Sequence, residues 1–441
     1  MVQETGLSPF LIKNQPSNHD RKPIFVQMLL LKNAHILDGH TESRPQDILI
    51  RGGIIDQIMP NISAPEGAEV WESEHLCVSP GWLDLGVYAA DPGYEHREDL
   101  SSAAAAAAAG GYTALACFPN THPALHTKSE ILYIKNKSAS LPVHCYPIGA
   151  ISQNCHGKDM AELYDMHAAG AVAFSDGHHA VSDAGLLLRS LQYVQAFNGL
   201  IINTPNHASI SSGGQMNEGL MSTSLGLKGL PALAEELMVQ RDLSLLEYTG
   251  GRLHIHLVST AKSVAMIRAA KQARLPVTCS VAIANCCFTD EKLQDFDSNW
   301  KVTPPLRTPS DVEALQKGLA EGVIDVICSN HTPWHEEAKN LEFPFADFGM
   351  IGLETCYGLC QTILGKVLTT NQLVQKLCLA PRSILGLEAP QIRAGQRAEI
   401  SVFDPTKSWV VTEKDLRSKS RNTPFLGQTL TGKVLGTQSG K

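Results

Sequence analysis

Carboxylate and imidazole side chains follow several apolar segments in the middle of the chain: Asp176, His178, His207, His256 and His331. Such groups are zinc ligands in proteins, and a zinc-bound water becomes a nucleophile near neutral pH. One hypothesis is therefore a metal site built from these residues. The other is structural, because a single histidine at the end of an apolar strand, such as His256, is more often packed in the core. We expect the structural role for His256.

Short apolar runs alternate with helical patterns through the middle of the chain and must position these side chains. The candidate strands are residues 114–118, 142–148, 171–174, 200–203, 253–258, 277–281 and 323–329, together with a run that ends at Leu85. Between the run that ends at Leu85 and the strand candidate at 114–118, residues 101–109 predict a helix that Ser101 or Ser102 caps. Eight buried strands separated by helices indicate an α/β protein with a (β/α)8 TIM-type barrel. In that fold the chemistry lies at the carboxyl ends of the strands.

The two ends of the chain have a different texture from the barrel region at 78–388. Residues 28–77 and 389–441 contain short alternating strands with turns such as Asp38-Gly39. We expect them to pair into one small β domain. Residues 1–27 are polar and interrupted by prolines, which predicts a flexible N-terminal extension.

The net charge of the chain indicates which classes of partner to expect, and its cysteine content indicates the cellular compartment. The 441 residues are 43% hydrophobic and 18% charged, and 36 basic against 44 acidic side chains give a net charge of −8. A net negative charge without a basic stripe argues against nucleic acid and anionic membranes as partners. The 11 cysteines lack a Cys-x-x-Cys pair, and neighbouring cysteines such as Cys286 and Cys287 are expected to be packing residues. We therefore expect reduced thiols and a cytoplasmic protein.

Several segments carry a resemblance to a known family. They are GWLD at 81–84, DPGYEHRED at 91–99, FPNT at 118–121, HIHLVST at 254–260, KVTPPLR at 301–307, FGMIGLET at 348–355 and NTPF at 422–425. In order and spacing they resemble dihydroorotases of the amidohydrolase superfamily, from about residue 28 to the C-terminus. The resemblance implies hydrolysis or formation of the cyclic amide of dihydroorotate with one or two zinc ions.

The resemblance also implies where the family's metal-binding and catalytic side chains should lie, and most of those positions are altered. The altered positions are Gly86, Tyr88, Ala90, Gly177, Thr204 and Asn330. Gly86 and Tyr88 stand where the family has two histidines, and Ala90 where it has the arginine that binds the substrate carboxylate. Asn330 replaces an aspartate that is both ligand and general base, and a carboxamide does not accept a proton at neutral pH.

Some family positions keep a polar side chain. His256 matches a metal ligand and Asp176 is a displaced substitute for the bridging aspartate, while Asn120, Arg307 and His331 are residual substrate-binding positions. With so few ligands retained, we expect no cofactor and no catalytic residue. We also expect the barrel mouth to hold bulkier side chains, including Tyr88 and Trp334.

These departures favour a catalytically inactive dihydroorotase-like protein of pyrimidine biosynthesis. The resemblance implies a partner, the catalytic chain of aspartate carbamoyltransferase, with this chain as a non-catalytic structural subunit of an oligomeric complex. The alternative is an active zinc amidohydrolase, acting on dihydroorotate or another cyclic amide, with a rearranged site.

Overall fold

The computed structural model describes residues 28–440, so the predicted extension at 1–27 lies outside the described residues. The strands are Met28–Ile36 (β1), Gln46–Arg51 (β2), Ile54–Met59 (β3), Glu69–Trp71 (β4), Cys77–Pro80 (β5), Trp82–Val87 (β6), Tyr112–Cys117 (β7), His144–Gly149 (β8), Ala173–Phe174 (β9), Leu200–Asn203 (β10), Met216–Asn217 (β11), Gly229–Leu230 (β12), Arg252–Ile255 (β13), Val277–Ala282 (β14), Val326–Cys328 (β15), Glu399–Val410 (β16) and Thr429–Ser439 (β17).

The α-helices follow the barrel strands and cover the outside of the sheet. They are Leu100–Ala109 (α1), Lys128–Lys137 (α2), Leu163–Ala169 (α3), Ala184–Tyr193 (α4), Ala208–Ser211 (α5), Leu220–Leu225 (α6), Ala232–Thr249 (α7), Ala261–Gln272 (α8), Ile283–Cys287 (α9), Pro309–Ala320 (α10), Glu336–Lys339 (α11), Cys356–Ile363 (α12), Thr370–Val374 (α13) and Ala380–Leu385 (α14). No helix in this part of the chain is both long and apolar enough to cross a membrane.

Eight parallel strands form the predicted barrel, in the order β15-β14-β13-β10-β9-β8-β7-β6. All eight candidate segments overlap one of these strands, so the prediction of a (β/α)8 fold is confirmed. Side-chain bonds link the two end strands, since the Ser329 amide donates to Asp84 Oδ1 at 3.2 Å and the Cys328 thiol to the Leu85 carbonyl at 3.0 Å. These bonds join the middle of β6 to the end of β15.

Both ends of the chain contribute to a second sheet, as expected. Its order is β17-β16-β5-β1-β2-β3, with β4 paired to β1. Strand β5 belongs to this sheet through antiparallel pairing with β16, and the next strand, β6, belongs to the barrel. The chain passes between the two sheets at Gly81, where an added β-carbon would lie 2.1 Å from Thr113 Oγ1. The expected boundary at 77/78 thus falls at the start of β5.

The cap of α1 differs from the prediction. The N-cap is Asp99, whose carboxylate accepts a hydrogen bond from the Ser102 amide at 2.8 Å, and Ser101 and Ser102 lie inside the helix. Aspartate is as good an N-cap as serine. The sequence does not distinguish the caps because three suitable residues, Asp99, Ser101 and Ser102, lie within four positions.

Candidate ligand site at the barrel mouth

A row of aromatic rings lies across the carboxyl ends of the barrel strands. The ring centroids are 5.0 Å apart for His256 and Phe118, 5.1 Å for Phe118 and Tyr88, and 5.4 Å for Tyr88 and His178. These spacings are those of packed aromatic pairs. Tyr88 therefore lies in the mouth as a packing side chain, in agreement with the expected increase in bulk.

His256 is held as a neutral imidazole at the end of β13. Its Nδ1 lies 2.9 Å from Ser280 Oγ, and its Nε2 is buried without a hydrogen-bond partner among the described residues. Burial lowers the pKa of His256 to about 3, because the charged form would lose its hydration.

Gly86 has no space for the histidine that the resemblance places there. Its φ is +101°, and an added β-carbon would lie 2.5 Å from Cε2 of Phe118 and 2.7 Å from Cε1 of His256. The two rings occupy the volume that a side chain on β6 would need. Glycine is required here for both its backbone conformation and its size.

Asp176 holds a loop instead of pointing a free carboxylate into the mouth. It accepts hydrogen bonds from the amides of Ile151 and Ser152, both at 2.9 Å, and from the Ser152 hydroxyl. Burial nevertheless raises the pKa of Asp176. All of these donors lie in the segment after β8, so Asp176 fixes that segment to the end of β9.

Asn120, Gly177 and Thr204 form a tight cluster beside Asp176. Asn120 Nδ2 donates to the Asp176 carbonyl at 3.0 Å, and the Thr204 hydroxyl donates to the Gly177 carbonyl at 2.7 Å. A β-carbon on Gly177 would lie 1.6 Å from Asn120 Oδ1. That oxygen is buried without a partner among the described residues.

His331 and Asn330 also make contacts inside the protein. His331 Nε2 lies 3.4 Å from Glu98 Oε2, and its Nδ1 accepts a hydrogen bond from the Gly352 amide at 3.2 Å. Asn330 Nδ2 donates to the Thr303 carbonyl at 3.0 Å. Both side chains hold the loop after β15 in place.

A cavity of about 340 Å³ opens beside this cluster, within the range of small-molecule sites. Its polar lining includes Thr204, Asn206, Gln215, Glu235, Thr303 and Arg307. Arg307 donates to Ser259, Asn217 and the Leu230 carbonyl through Nε and Nη1, while its Nη2 lies 3.8 Å from Glu235 Oε2. Nη2 makes no hydrogen bond within residues 28–440, and its charge is paired with that of Glu235 in the wall of the cavity.

Comparison with known proteins identifies the family of this chain. The family described as Dihydro-orotase-like matches residues 76–263. A dihydroorotase of Acetivibrio thermocellus is 41% identical over 413 residues, 93% of this chain and 97% of that protein. A dihydroorotase of Pelotomaculum thermopropionicum is 43% identical over 409 residues, 92% of this chain and 95% of that protein.

The chain belongs to the dihydroorotase-like family. Solved structures agree on the fold. An L-hydantoinase of Arthrobacter aurescens superposes with a TM-score of 0.80 at 24% identity, over 92% of this chain and 93% of that one. A dihydropyrimidinase of Brevibacillus agri gives a TM-score of 0.79 at 18% identity, over 94% of each chain.

These relatives contradict the expectation of a catalytically inactive chain. Proteins 37% to 43% identical to it over nearly its whole length carry the name of an enzyme, dihydroorotase. The expectation that no cofactor is needed is contradicted for the same reason, since the family resemblance implies zinc. The altered single positions do not outweigh the similarity of the whole chain.

The described side chains do not, however, fit the zinc centre that the resemblance implies. Within residues 28–440 no group of three or more histidine, cysteine, aspartate or glutamate side chains is placed to hold a metal ion. The five-residue metal site considered above is therefore not formed. The hydrogen-bond donors of Asp176 lie in the segment after β8, and His256 faces Gly86.

Two charged residues of the mouth were missed as functional candidates in the sequence. Arg97 stacks on Trp334, and Glu235 faces Arg307. Arg97 lies within the segment 91–99, which shares the family pattern, so that segment was the available signal. Their roles depend on partners far away along the chain.

Proposed function

We propose that this protein is a cyclic amidohydrolase of pyrimidine biosynthesis that interconverts dihydroorotate and carbamoyl-aspartate. The observation that carries the proposal is the identity of 41% and 43% to two dihydroorotases over more than nine-tenths of the chain. The fold supports it, because barrel enzymes bind substrates at the carboxyl ends of their strands, where the cavity lies.

The cavity offers groups that suit a cyclic amide with a carboxylate. Arg307, whose Nη2 is paired with Glu235, lines the cavity as a cationic donor, and Asn206 and Thr303 add polar groups along the same wall. Leu257 and Phe348 line the apolar part and exclude water from a bound ring. A small number of fixed polar groups in an apolar wall is the usual composition of a small-molecule site.

The test is turnover in both directions by the purified full chain, with and without added zinc, together with the metal content of the same sample. We expect formation of carbamoyl-aspartate from dihydroorotate, and the reverse reaction, above a protein-free control. A matched Arg307→Met variant should bind the substrate more weakly. Absence of turnover in both directions, under both metal conditions, would overturn the proposal.

Association with the catalytic chain of aspartate carbamoyltransferase, in the cytoplasm, is a separate proposal supported by the resemblance and by the lack of a Cys-x-x-Cys pair. Co-expression of the two chains followed by size-exclusion chromatography tests the association. We expect co-elution at micromolar concentration; separate elution would contradict it.

A further inference from the structure

Arg97 carries a charge at the barrel mouth that no described side chain pairs with. Its guanidinium makes no hydrogen bond and no ion pair within residues 28–440, and its Nε is buried without a partner. The desolvation of this group lowers the pKa of Arg97, while the charge of Asp347, which makes no ion pair with it, acts to raise the pKa. A partly desolvated arginine without an anion is unusual, because a buried charge is costly unless it is paired.

Two aromatic rings hold the guanidinium in place. Its central carbon lies 3.8 Å from the ring centroid of Trp334 and 4.7 Å from that of Tyr94. The indole is itself fixed, since Trp334 Nε1 donates to the Phe348 carbonyl at 2.9 Å. A cation–π contact uses the face of the guanidinium, so the N–H groups in its plane remain free to donate.

The nearest acidic side chains along the chain have other partners. Glu98 accepts hydrogen bonds from the Lys419 amide at 3.1 Å and from the Ser102 and Ser418 hydroxyls. Asp99 caps α1 and pairs with Lys419. Neither of them, nor Glu95 two residues before Arg97, makes an ion pair with Arg97 within residues 28–440, so the guanidinium can pair with an anion from outside.

Arg97 faces the opening of the barrel. Tyr94 lies in the loop after β6, Trp334 in the loop after β15, and the charge of Arg97 contributes to lowering the pKa of His178 in the loop after β9. All three loops follow the carboxyl ends of strands. The side chain therefore lies at the same end of the barrel as the cavity.

We propose that Arg97 binds the carboxylate of the ligand at the barrel mouth. Two parallel N–H donors of a guanidinium match the two oxygens of a carboxylate. The position at which the resemblance implies a carboxylate-binding arginine is Ala90, whose carbonyl accepts a hydrogen bond from the Tyr94 amide at 2.9 Å. The chain reverses direction at this turn, and Arg97, seven residues after Ala90, lies at the barrel mouth.

This inference rests on the proposed function, because it names the anion-binding residue of the same site. The test compares binding of dihydroorotate, carbamoyl-aspartate and dihydrouracil by calorimetry. Dihydrouracil has the same ring as dihydroorotate without the carboxylate. The variants are Arg97→Gln and Arg97→Lys, and Arg51→Gln is the control, since Arg51 is an exposed arginine paired with Asp56 in the second sheet.

We expect Arg97→Gln to lower the binding affinity for both carboxylate ligands about tenfold to a hundredfold and to leave the affinity for dihydrouracil unchanged. Arg97→Lys keeps the charge without the paired donors and should fall between Arg97→Gln and wild type, while Arg51→Gln should match wild type. Equal effects on all three ligands would mean a structural role and overturn the proposal. Unchanged carboxylate binding in Arg97→Gln would overturn it as well, as would absence of carboxylate binding by the wild type.

The outcomes separate the two proposals. Carboxylate binding that depends on Arg97 without any turnover would leave this inference standing and overturn the proposed function. Turnover together with carboxylate binding that is independent of Arg97 would leave the proposed function standing and overturn this inference.

Discussion

A β-carbon on Gly86 would lie 2.7 Å from Cε1 of His256, so the first and sixth strands of the barrel meet through a glycine and a ring. The same β-carbon would lie 2.5 Å from Cε2 of Phe118. The absence of a side chain on β6 is therefore a condition for the packing of both rings.

Gly86→Ala tests this contact. We expect a loss of about 3 kcal/mol in the free energy of unfolding, because backbone strain and overpacking add. Gly53→Ala is the control, since Gly53 also has a positive φ, +77°, but no atom within 4 Å of the added carbon. Strain alone should cost about 1 kcal/mol there. Equal losses in urea denaturation would show that the rings yield without cost.

The ionisation of Asp84 makes the free energy of unfolding depend on pH, and the direction of that dependence follows from its raised pKa. Burial raises the pKa of Asp84 from 3.8 to about 6, so between these values the folded state binds more protons than the unfolded state. Its contribution to stability is present at low pH and is lost as the pH rises through this window. The Asp84→Asn variant keeps an acceptor for the Ser329 amide. It should exceed wild type by roughly 3 kcal/mol near pH 7, and by little near pH 4.

Asp47→Asn provides the contrast. The Asp47 carboxylate receives hydrogen bonds from Lys32 and from the amides of Asn33 and Ile62, and its pKa is lowered although burial opposes the shift. Its stabilisation is present at neutral pH and is lost as the pH falls through the lowered pKa. The variant should thus be less stable than wild type at pH 7, with a smaller difference in acid. The same pH trend in both variants would contradict these assignments.

Lys301 holds the loop that follows α11. Its Nζ donates to the carbonyls of Phe343 at 2.8 Å, Pro344 at 3.2 Å and Ala346 at 2.6 Å, and burial lowers its pKa to about 8. Lys301→Met leaves these carbonyls without their donor and should cost about 3 kcal/mol. The exposed Lys317→Met should cost less than about 0.5 kcal/mol. Thermal and urea unfolding of the two variants decide this.

The ion pair of Arg307 and Glu235 lies in the wall of the cavity. Arg307→Met should destabilise the protein by about 3 kcal/mol, because it leaves a buried charge uncompensated. Glu235 still accepts hydrogen bonds from the amides of Ser259 and Thr260, so the double variant with Glu235→Gln should lose less than the sum of the two single variants. Strict additivity in a double-mutant cycle would show that the two charges do not interact.

The barrel strands and the pairing of the chain ends were predictable from residue order alone. Parallel strands buried on both faces are continuous apolar runs, and residues 200–203 were placed at the observed limits of β10. The resemblance also assigns altered family positions to Gly86, Thr204 and Asn330, and this assignment stays a prediction. Their substitution suggested inactivity, which the relatives contradict, because a list of single positions does not describe the whole chain.

Contacts between residues far apart in the chain required the tertiary structure. Arg97 and Trp334 meet only because the barrel closes and brings the loops after β6 and β15 together. The same holds for Glu235 and Arg307 at the cavity, and for the space that Phe118 and His256 take from Gly86. Periodicity predicts which face of a strand is buried, but the partner of a charged side chain depends on the packing of segments that are not neighbours in sequence.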